Sequence, residues 1–253
     1  MSANKMKTIG VIGGLGPMAS VYLTELITRM VEADRDQEHP RVLTYSIPDT
    51  PDRTAFLLGK SDENPLPCLQ EAAQILEKAG ADFLAIPCVT AQFFHEKIQE
   101  SVSIPVLSLI ADVAEEVESL GVRSVGIMAT DGTIKSGLLE KDFTNRGIRV
   151  VLPEAEGQKE VMSLIYDMVK TGRIDEYEGA KEAIRRMETQ SDKLLARGAE
   201  RVILGCTELS LIRREMYHLE RFLKNNEWKE NNIDILEVLA HHAVKMSGAK
   251  IRS

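Results

Sequence analysis

Short runs rich in aliphatic and β-branched residues alternate with longer stretches of helical periodicity along almost the whole chain, and this rhythm constrains the fold most. The runs are "TIGVIGG" at 8–14, "VLTYSIP" at 42–48, "DFLAIPC" at 82–88, "PVLSLI" at 105–110, "SVGIMAT" at 124–130, "IRVVLP" at 148–153 and "RVILGC" at 201–206. Between them lie amphipathic stretches such as "MASVYLTELITRMVEA" from Met18 and "EEVESLGV" from Glu115, each expected to end near a glycine in the C-cap role. Strands separated by helix-length segments predict βαβ units with parallel sheets, an α/β fold. The polar stretches "EADRDQEHP" at 32–40 and "LKNNEWKENN" at 223–232 read as solvated loops.

The strands also repeat. "TIGVIGG" resembles "SVGIMAT", aligning Gly10 with Gly126, and "AGADFLAIPCVTA" resembles "RGAERVILGCTEL", aligning Cys88 with Cys206; the spacings, 116 and 118 residues, agree to within two. A period of that length predicts two pseudo-symmetric lobes, each a parallel-sheet αβα sandwich. The first spans 1–113 and is completed by a C-terminal helix at 233–253; the second spans 114–232. Ligands of open parallel sheets bind beyond the carboxyl ends of the strands. Both cysteines stand at such ends, so the active site is expected in a cleft between the lobes, with each thiol open to the ligand rather than lost in its own core.

Two opposed thiols suit stereochemical inversion. One removes a proton from a carbon and the other returns a proton to the opposite face, so neither group crosses the substrate. A thiol of ordinary pKa about 8.5 is readily made a thiolate at a helix N-terminus, which lets thiolate and thiol coexist near neutral pH. Thr90 and Thr207 are expected to begin the helices or turns after these strands, where hydroxyls and backbone N–H groups can hold a carboxylate. A lone strand-end cysteine is usually a small buried hydrophobe; the pairing argues otherwise.

Composition narrows the chemistry. The 253 residues include 43% hydrophobic ones, ample for a sizeable core, and the formal net charge of -8 leaves no basic patch for nucleic acid or a membrane surface. With no apolar run of spanning length and no apolar leader in "MSANKMKTIG", a cytoplasmic protein is expected. Cys68, Cys88 and Cys206 are the only cysteines, an odd number that argues for reduced thiols, and none has a second Cys or His at metal-ligand spacing. "GVIGGLGPMAS" fits neither the dinucleotide nor the Walker pattern. Its glycines are expected to let the backbone approach a small substrate. Cys68 is assigned no role.

The order of "IGVIGGLGP", "TPDRT" at 50–54, "ENPLP" at 63–67, "PCVTAQ", "ATDGTIKSG" at 129–137, "IYDMVKTG" at 165–172, "GCTEL" and "IDILEVLA" at 233–240 resembles the aspartate/glutamate racemase family nearly end to end, closest to its aspartate branch. The resemblance implies an isomerase that works without pyridoxal phosphate, other cofactor or metal, on a small acidic amino acid, as a homodimer. It implies Cys88 and Cys206 as the catalytic pair and Gly14, Val89, Thr90, Thr130, Thr133 and Thr207 around the substrate. It also implies Arg53 and Lys170 as readers of the distal carboxylate, and their spacing of 117 falls on the same repeat. A guanidinium fork and an ammonium, one from each lobe, would serve both enantiomers.

The first motif departs from the family's usual Cys-Asn-Thr with a following His, because Val89 and Gln92 fill those places. Val89 removes an amide from the substrate's surroundings, and Gln92 cannot act as acid or base. Glu208, beside Cys206, is available as a helper, whereas His95 lies about two helical turns beyond Cys88 and is read as structural. By the resemblance to the aspartate branch, aspartate is expected to be preferred over glutamate. Hydantoin racemase, maleate isomerase, arylmalonate decarboxylase and broad-specificity amino-acid racemase chemistry remain open, as does a non-catalytic small-ligand binding protein.

Overall fold

A computed structural model describes residues 6–220 and 231–252. The chain forms two compact units, Met1–Asp112 with Leu236–Ser253, and Val113–Ile235.

In the first unit the strands β1 (Ile9–Gly13), β2 (Val42–Ser46) and β3 (Phe83–Ala85) form a parallel sheet in the order β2-β1-β3. In the second, β4 (Ser124–Met128), β5 (Arg149–Val151), β6 (Arg201–Leu204) and β7 (Asn232–Asp234) form a parallel sheet in the order β5-β4-β6-β7. The repeat seen in the sequence is therefore a repeat of topology: the first strand of each unit is central, with the second on one side and the third on the other. All of β1 and all of β4 are buried, as strands covered on both faces must be, which is why they read as continuous apolar runs rather than alternating ones. Gly10 and Gly126 occupy matching places within these central strands. A Cβ on Gly10 would lie 2.6 Å from Leu84 Cδ2 and one on Gly126 2.9 Å from Leu194 Cβ, so glycine admits the neighbouring element in both units.

The first unit carries helices α1 (Pro17–Met30), α2 (Arg53–Leu57), α3 (Leu66–Lys78), α4 (His95–Gln99) and the start of α5 (Leu109–Ser119). Pro17 at the first turn of α1 costs nothing, because the N–H it lacks would have no partner there. Two expectations about helix ends and strands change. The helix read from Met18 ends not at a glycine but at Val31, whose backbone turns extended and pairs with Ile251. The run at 105–110 is not a strand: Val106 makes a single bridge to Leu84 and α5 begins at Leu109. Pro105 offers only its carbonyl, which accepts from Leu84 N at 2.8 Å, so pairing stops after one rung. The helix read from Glu115 is α5, which does end before Gly121, at φ 70°.

The second unit adds α6 (Asp131–Ser136), α7 (Leu138–Asn145), α8 (Ala155–Ser163), α9 (Tyr177–Ala196) and α10 (Thr207–Glu220). After α8 the chain makes a π-helical turn, Leu164–Val169, in which Lys170 N bonds Ile165 O at 3.1 Å, five residues back. The expected loop at 223–232 lies outside the described residues except for its last two. Asn232 already belongs to β7, and α11 (Ile235–Ser247) returns the chain to the first unit from Leu236, whereas the sequence places the start of this helix at 233. A strand of three residues is too short to show a period of two.

Candidate functional site

Because every strand is parallel, the segments following β1, β2 and β3 emerge at one end of the first sheet, and those following β4 and β6 at one end of the second. The residues singled out from the sequence fall in these segments or, for Lys170, directly after the π-helical turn of the second unit.

In the first unit Gly14 follows β1 with φ 88°, a conformation that favours glycine. A Cβ there would stand 2.4 Å from Ile47 N, so the close approach is made by the chain's own β2 loop. Gly14 N donates to Ser20 Oγ at 3.1 Å, and Ile47 N donates to Gly13 O at the same distance. Arg53 extends this knitting. Its Nη1 donates to the carbonyls of Thr50 (3.2 Å) and Pro51 (3.1 Å), and its Nη2 to that of Leu15 (3.1 Å). Its Nε is buried and, among the described residues, has no hydrogen-bond partner. A guanidinium expected only to read substrate thus also ties the loops after β1 and β2 together, leaving one buried donor unspent.

Cys88 lies beyond β3 and is 5% exposed, one of the buried side chains of the first unit's core cluster. It is less open than expected of a ligand-facing thiol. A purely structural cysteine needs no polar neighbour, yet Cys88 Sγ lies 3.3 Å from Thr90 Oγ1, and Thr90 opens a short 3₁₀ turn, Thr90–Phe94. Val89, in place of the usual amide, is buried at 4%. Gln92 is a scaffold residue: its Oε1 accepts from Leu109 N at 3.2 Å and its Nε2 donates to Ile86 O at 3.4 Å. His95 Nε2 pairs with Val106 O at 3.0 Å, the structural role expected of it.

The second unit is built more tightly around its thiol. Thr207 begins α10, a helix of 14 residues whose N-terminus favours negative charge beside it. Cys206 precedes it, 8% exposed, and donates its thiol hydrogen to Glu208 Oε2 at 2.9 Å. Thr207 Oγ1 donates to the same oxygen at 3.3 Å. Lys170 Nζ stands 4.0 Å from Glu208 Oε1 and 4.2 Å from the centre of the Tyr166 ring, so the carboxylate has a thiol on one oxygen and an ammonium near the other. Thr130 caps α6, accepting from Thr133 N at 3.2 Å, with the two hydroxyls 3.1 Å apart. Tyr166 is a neighbour that the sequence motifs do not single out. Its spacing of four from Lys170 is the signal that it shares a helical face with it.

The two thiols therefore differ: Cys206 Sγ is hydrogen-bonded to a carboxylate, Cys88 Sγ to a hydroxyl. Among the described residues no group of three or more His, Cys, Asp or Glu side chains is arranged to hold a metal, and no helix is long and apolar enough to cross a membrane.

Two matching parallel-sheet units, each with a cysteine and a threonine just past a strand, define a two-unit α/β protein, and its similarity to known proteins sets its class. The chain belongs to the Asp/Glu/Hydantoin racemase family, whose model matches residues 12–220. It is 25% identical over 210 residues to the broad specificity amino-acid racemase RacX of Bacillus subtilis (strain 168), an alignment covering 81% of this chain and 86% of that one. Among solved structures it is similar to the aspartate racemase of Picrophilus torridus, with a TM-score of 0.80 and 27% identity over 97% of this chain and 96% of that one. It is also similar to an aspartate racemase homologue of Pyrococcus horikoshii OT3, with a TM-score of 0.72 and 27% identity over 96% of this chain and all of the other. The chain is an isomerase of the amino-acid racemase type.

Proposed function

We propose that the protein racemises an acidic amino acid, aspartate in preference to glutamate, by two-base proton transfer between Cys88 and Cys206 without pyridoxal phosphate or metal. The observation that carries the reading is the polar partner of each buried thiol: Glu208 Oε2 at 2.9 Å for Cys206 and Thr90 Oγ1 at 3.3 Å for Cys88. One sulfur, as thiolate, takes the Cα proton of one enantiomer. The electron pair left on Cα delocalises into the adjacent carboxylate, and the other sulfur, as thiol, delivers its proton to the opposite face. The cycle ends with thiol and thiolate exchanged, and Glu208 gives Cys206 a place to lose or regain its proton.

Arg53 and Lys170 are the readers of the distal carboxylate in this reading. The buried Nε of Arg53, without a hydrogen-bond partner among the described residues, supports it, since such a donor favours a ligand acceptor. Lys170 is shared: it neighbours Glu208 and, when substrate is present, the distal carboxylate. Thr90, Thr207, Thr130 and Thr133 supply hydroxyls and N–H groups for the α-carboxylate, and Gly14 and Val89 the close walls. The similarity to the aspartate racemase of Picrophilus torridus favours aspartate, and that to RacX favours a broader range. Incubation with each enantiomer of a panel of amino acids in deuterated water decides between them. Cα deuteration of aspartate, faster than of glutamate or of neutral amino acids, is expected; deuteration of none would end the racemase reading.

A further inference from the structure

Asp234 is a fully buried carboxylate that the proposed reaction does not use. It ends β7, where the ladder pairs it with Leu204, the last residue of β6. Its Oδ1 accepts from Ser210 Oγ, in the first turn of α10, at 2.6 Å. Arg213 Nε stands 3.8 Å from Oδ2, and Arg213 Nη1 donates to the carbonyl of Asn232 at 3.3 Å. Asn232 Oδ1 in turn accepts from Ser191 Oγ of α9 at 2.9 Å.

Leu204 and Ser210 bracket the stretch Gly205–Leu209, which carries Cys206, Thr207 and Glu208. One residue therefore grips the chain on both sides of the thiol: by the backbone ladder before it and by the carboxylate after it. The turn has little slack, since a Cβ on Gly205 would lie 3.0 Å from Met128 O and 3.1 Å from Ala129 Cβ. A buried ion pair is weak evidence for stability, because apolar side chains of the same volume often do as well. What the carboxylate adds is direction. A short charge-assisted hydrogen bond holds the Ser210 hydroxyl, and with it the first turn of α10, in one place.

We propose that Asp234 is a positioning residue for the Cys206–Glu208 pair, clasping the turn so that the thiol meets its proton acceptor. The role rests on the racemase reading, but the geometry it asserts can be measured without substrate. The test follows alkylation of a single thiol by iodoacetamide across pH: Cys206 in a Cys68→Ser, Cys88→Ser background, and Cys88 in a Cys68→Ser, Cys206→Ser background. Each is measured with and without Asp234→Asn or Ser210→Ala. The rate at Cys206 near neutral pH should change by about threefold or more with either substitution, because a reactive thiol depends on its local charge partner. The rate at Cys88 should stay unchanged. In the otherwise native enzyme, kcat for racemisation should fall by about tenfold, with KM within about twofold, as expected when a reacting group is misplaced while substrate binding is intact.

Should Asp234→Asn fail to fold, Ser210→Ala, which removes a single hydroxyl, carries the same comparison. Equal changes at both cysteines, or none at Cys206 in folded variants, would overturn the proposal. Absence of racemisation by the native enzyme would count against the racemase reading and leave the alkylation comparison valid.

Discussion

Glu208 accepts the thiol hydrogen of Cys206 at 2.9 Å, in the first turn of a helix whose N-terminus favours negative charge. Cys88, its counterpart in the repeat, is hydrogen-bonded to the hydroxyl of Thr90 at 3.3 Å. The two halves of the proposed proton transfer are thus differently equipped.

If both sulfurs act as acid and base, neither is redundant. Cys88→Ser and Cys206→Ser should each lower kcat for racemisation by about 10³-fold or more, since a serine hydroxyl is a far weaker base at neutral pH. Polarimetry or chiral chromatography reads the rate. Racemase activity near that of the native protein in either variant would exclude the two-thiol mechanism.

Both thiols are buried, at 5% and 8% exposure, so their reach to ligand is itself testable. Alkylation of Cys88 and Cys206, followed by peptide mass analysis, should be slowed by saturating aspartate, while that of the partly exposed Cys68 is unaffected. Modification of Cys68 alone, with the other two inert, would identify them as core residues.

Glu208→Gln keeps the shape and removes the proton acceptor. It should cost about 10²-fold in kcat, the usual contribution of a positioned acid or base, with less effect on KM. A change confined to KM would recast Glu208 as a binding residue.

Arg53→Ala and Lys170→Ala should each weaken acidic substrates by about 1.5 to 3 kcal/mol in kcat/KM, the value of a hydrogen bond to a charged group, and neutral amino acids much less. Arg53→Ala should also lower the melting temperature, because the carbonyls of Leu15, Thr50 and Pro51 lose their donors. Lys170→Ala, at a side chain one-third exposed, should not. Identical kinetics with aspartate in both variants would remove these cations from the site.

Stability should depend on pH through Glu77. Its carboxyl is held below the ordinary range by the hydroxyl and N–H of Ser103, with Ile104 N–H also donating. A depressed carboxylate stabilises the fold above its unfolded pKa and loses that contribution as pH falls through its folded pKa. Glu77→Gln should therefore lower the melting temperature at pH 7, and the difference from the native protein should shrink on acidification. A difference that is the same at pH 7 and at pH 3 would contradict this.

Much of the protein is legible in the residue order because its signals are local. The period of apolar runs predicts parallel α/β units, and the matched positions Gly10 and Gly126 appear as the central-strand glycines of two sheets of like topology. Cys206 and Glu208 can be paired from sequence because two residues at the start of a helix are held near each other by backbone geometry alone. A signal shorter than its own period misleads: one rung at Val106 reads as a strand, and the three residues of β7 read partly as loop and partly as helix.

What the tertiary structure decided are contacts between residues far apart along the chain. Arg53 spends a donor on Leu15, 38 residues away, Lys170 reaches Glu208 from the end of a π-helical turn, and Asp234 holds Ser210 from the neighbouring strand. Each joins groups whose separation is set by how strands and helices pack, not by the backbone between them. Propensity and periodicity act over one or two turns of chain, so they place a residue on an element and a face; which distant side chain meets it there depends on the packed whole.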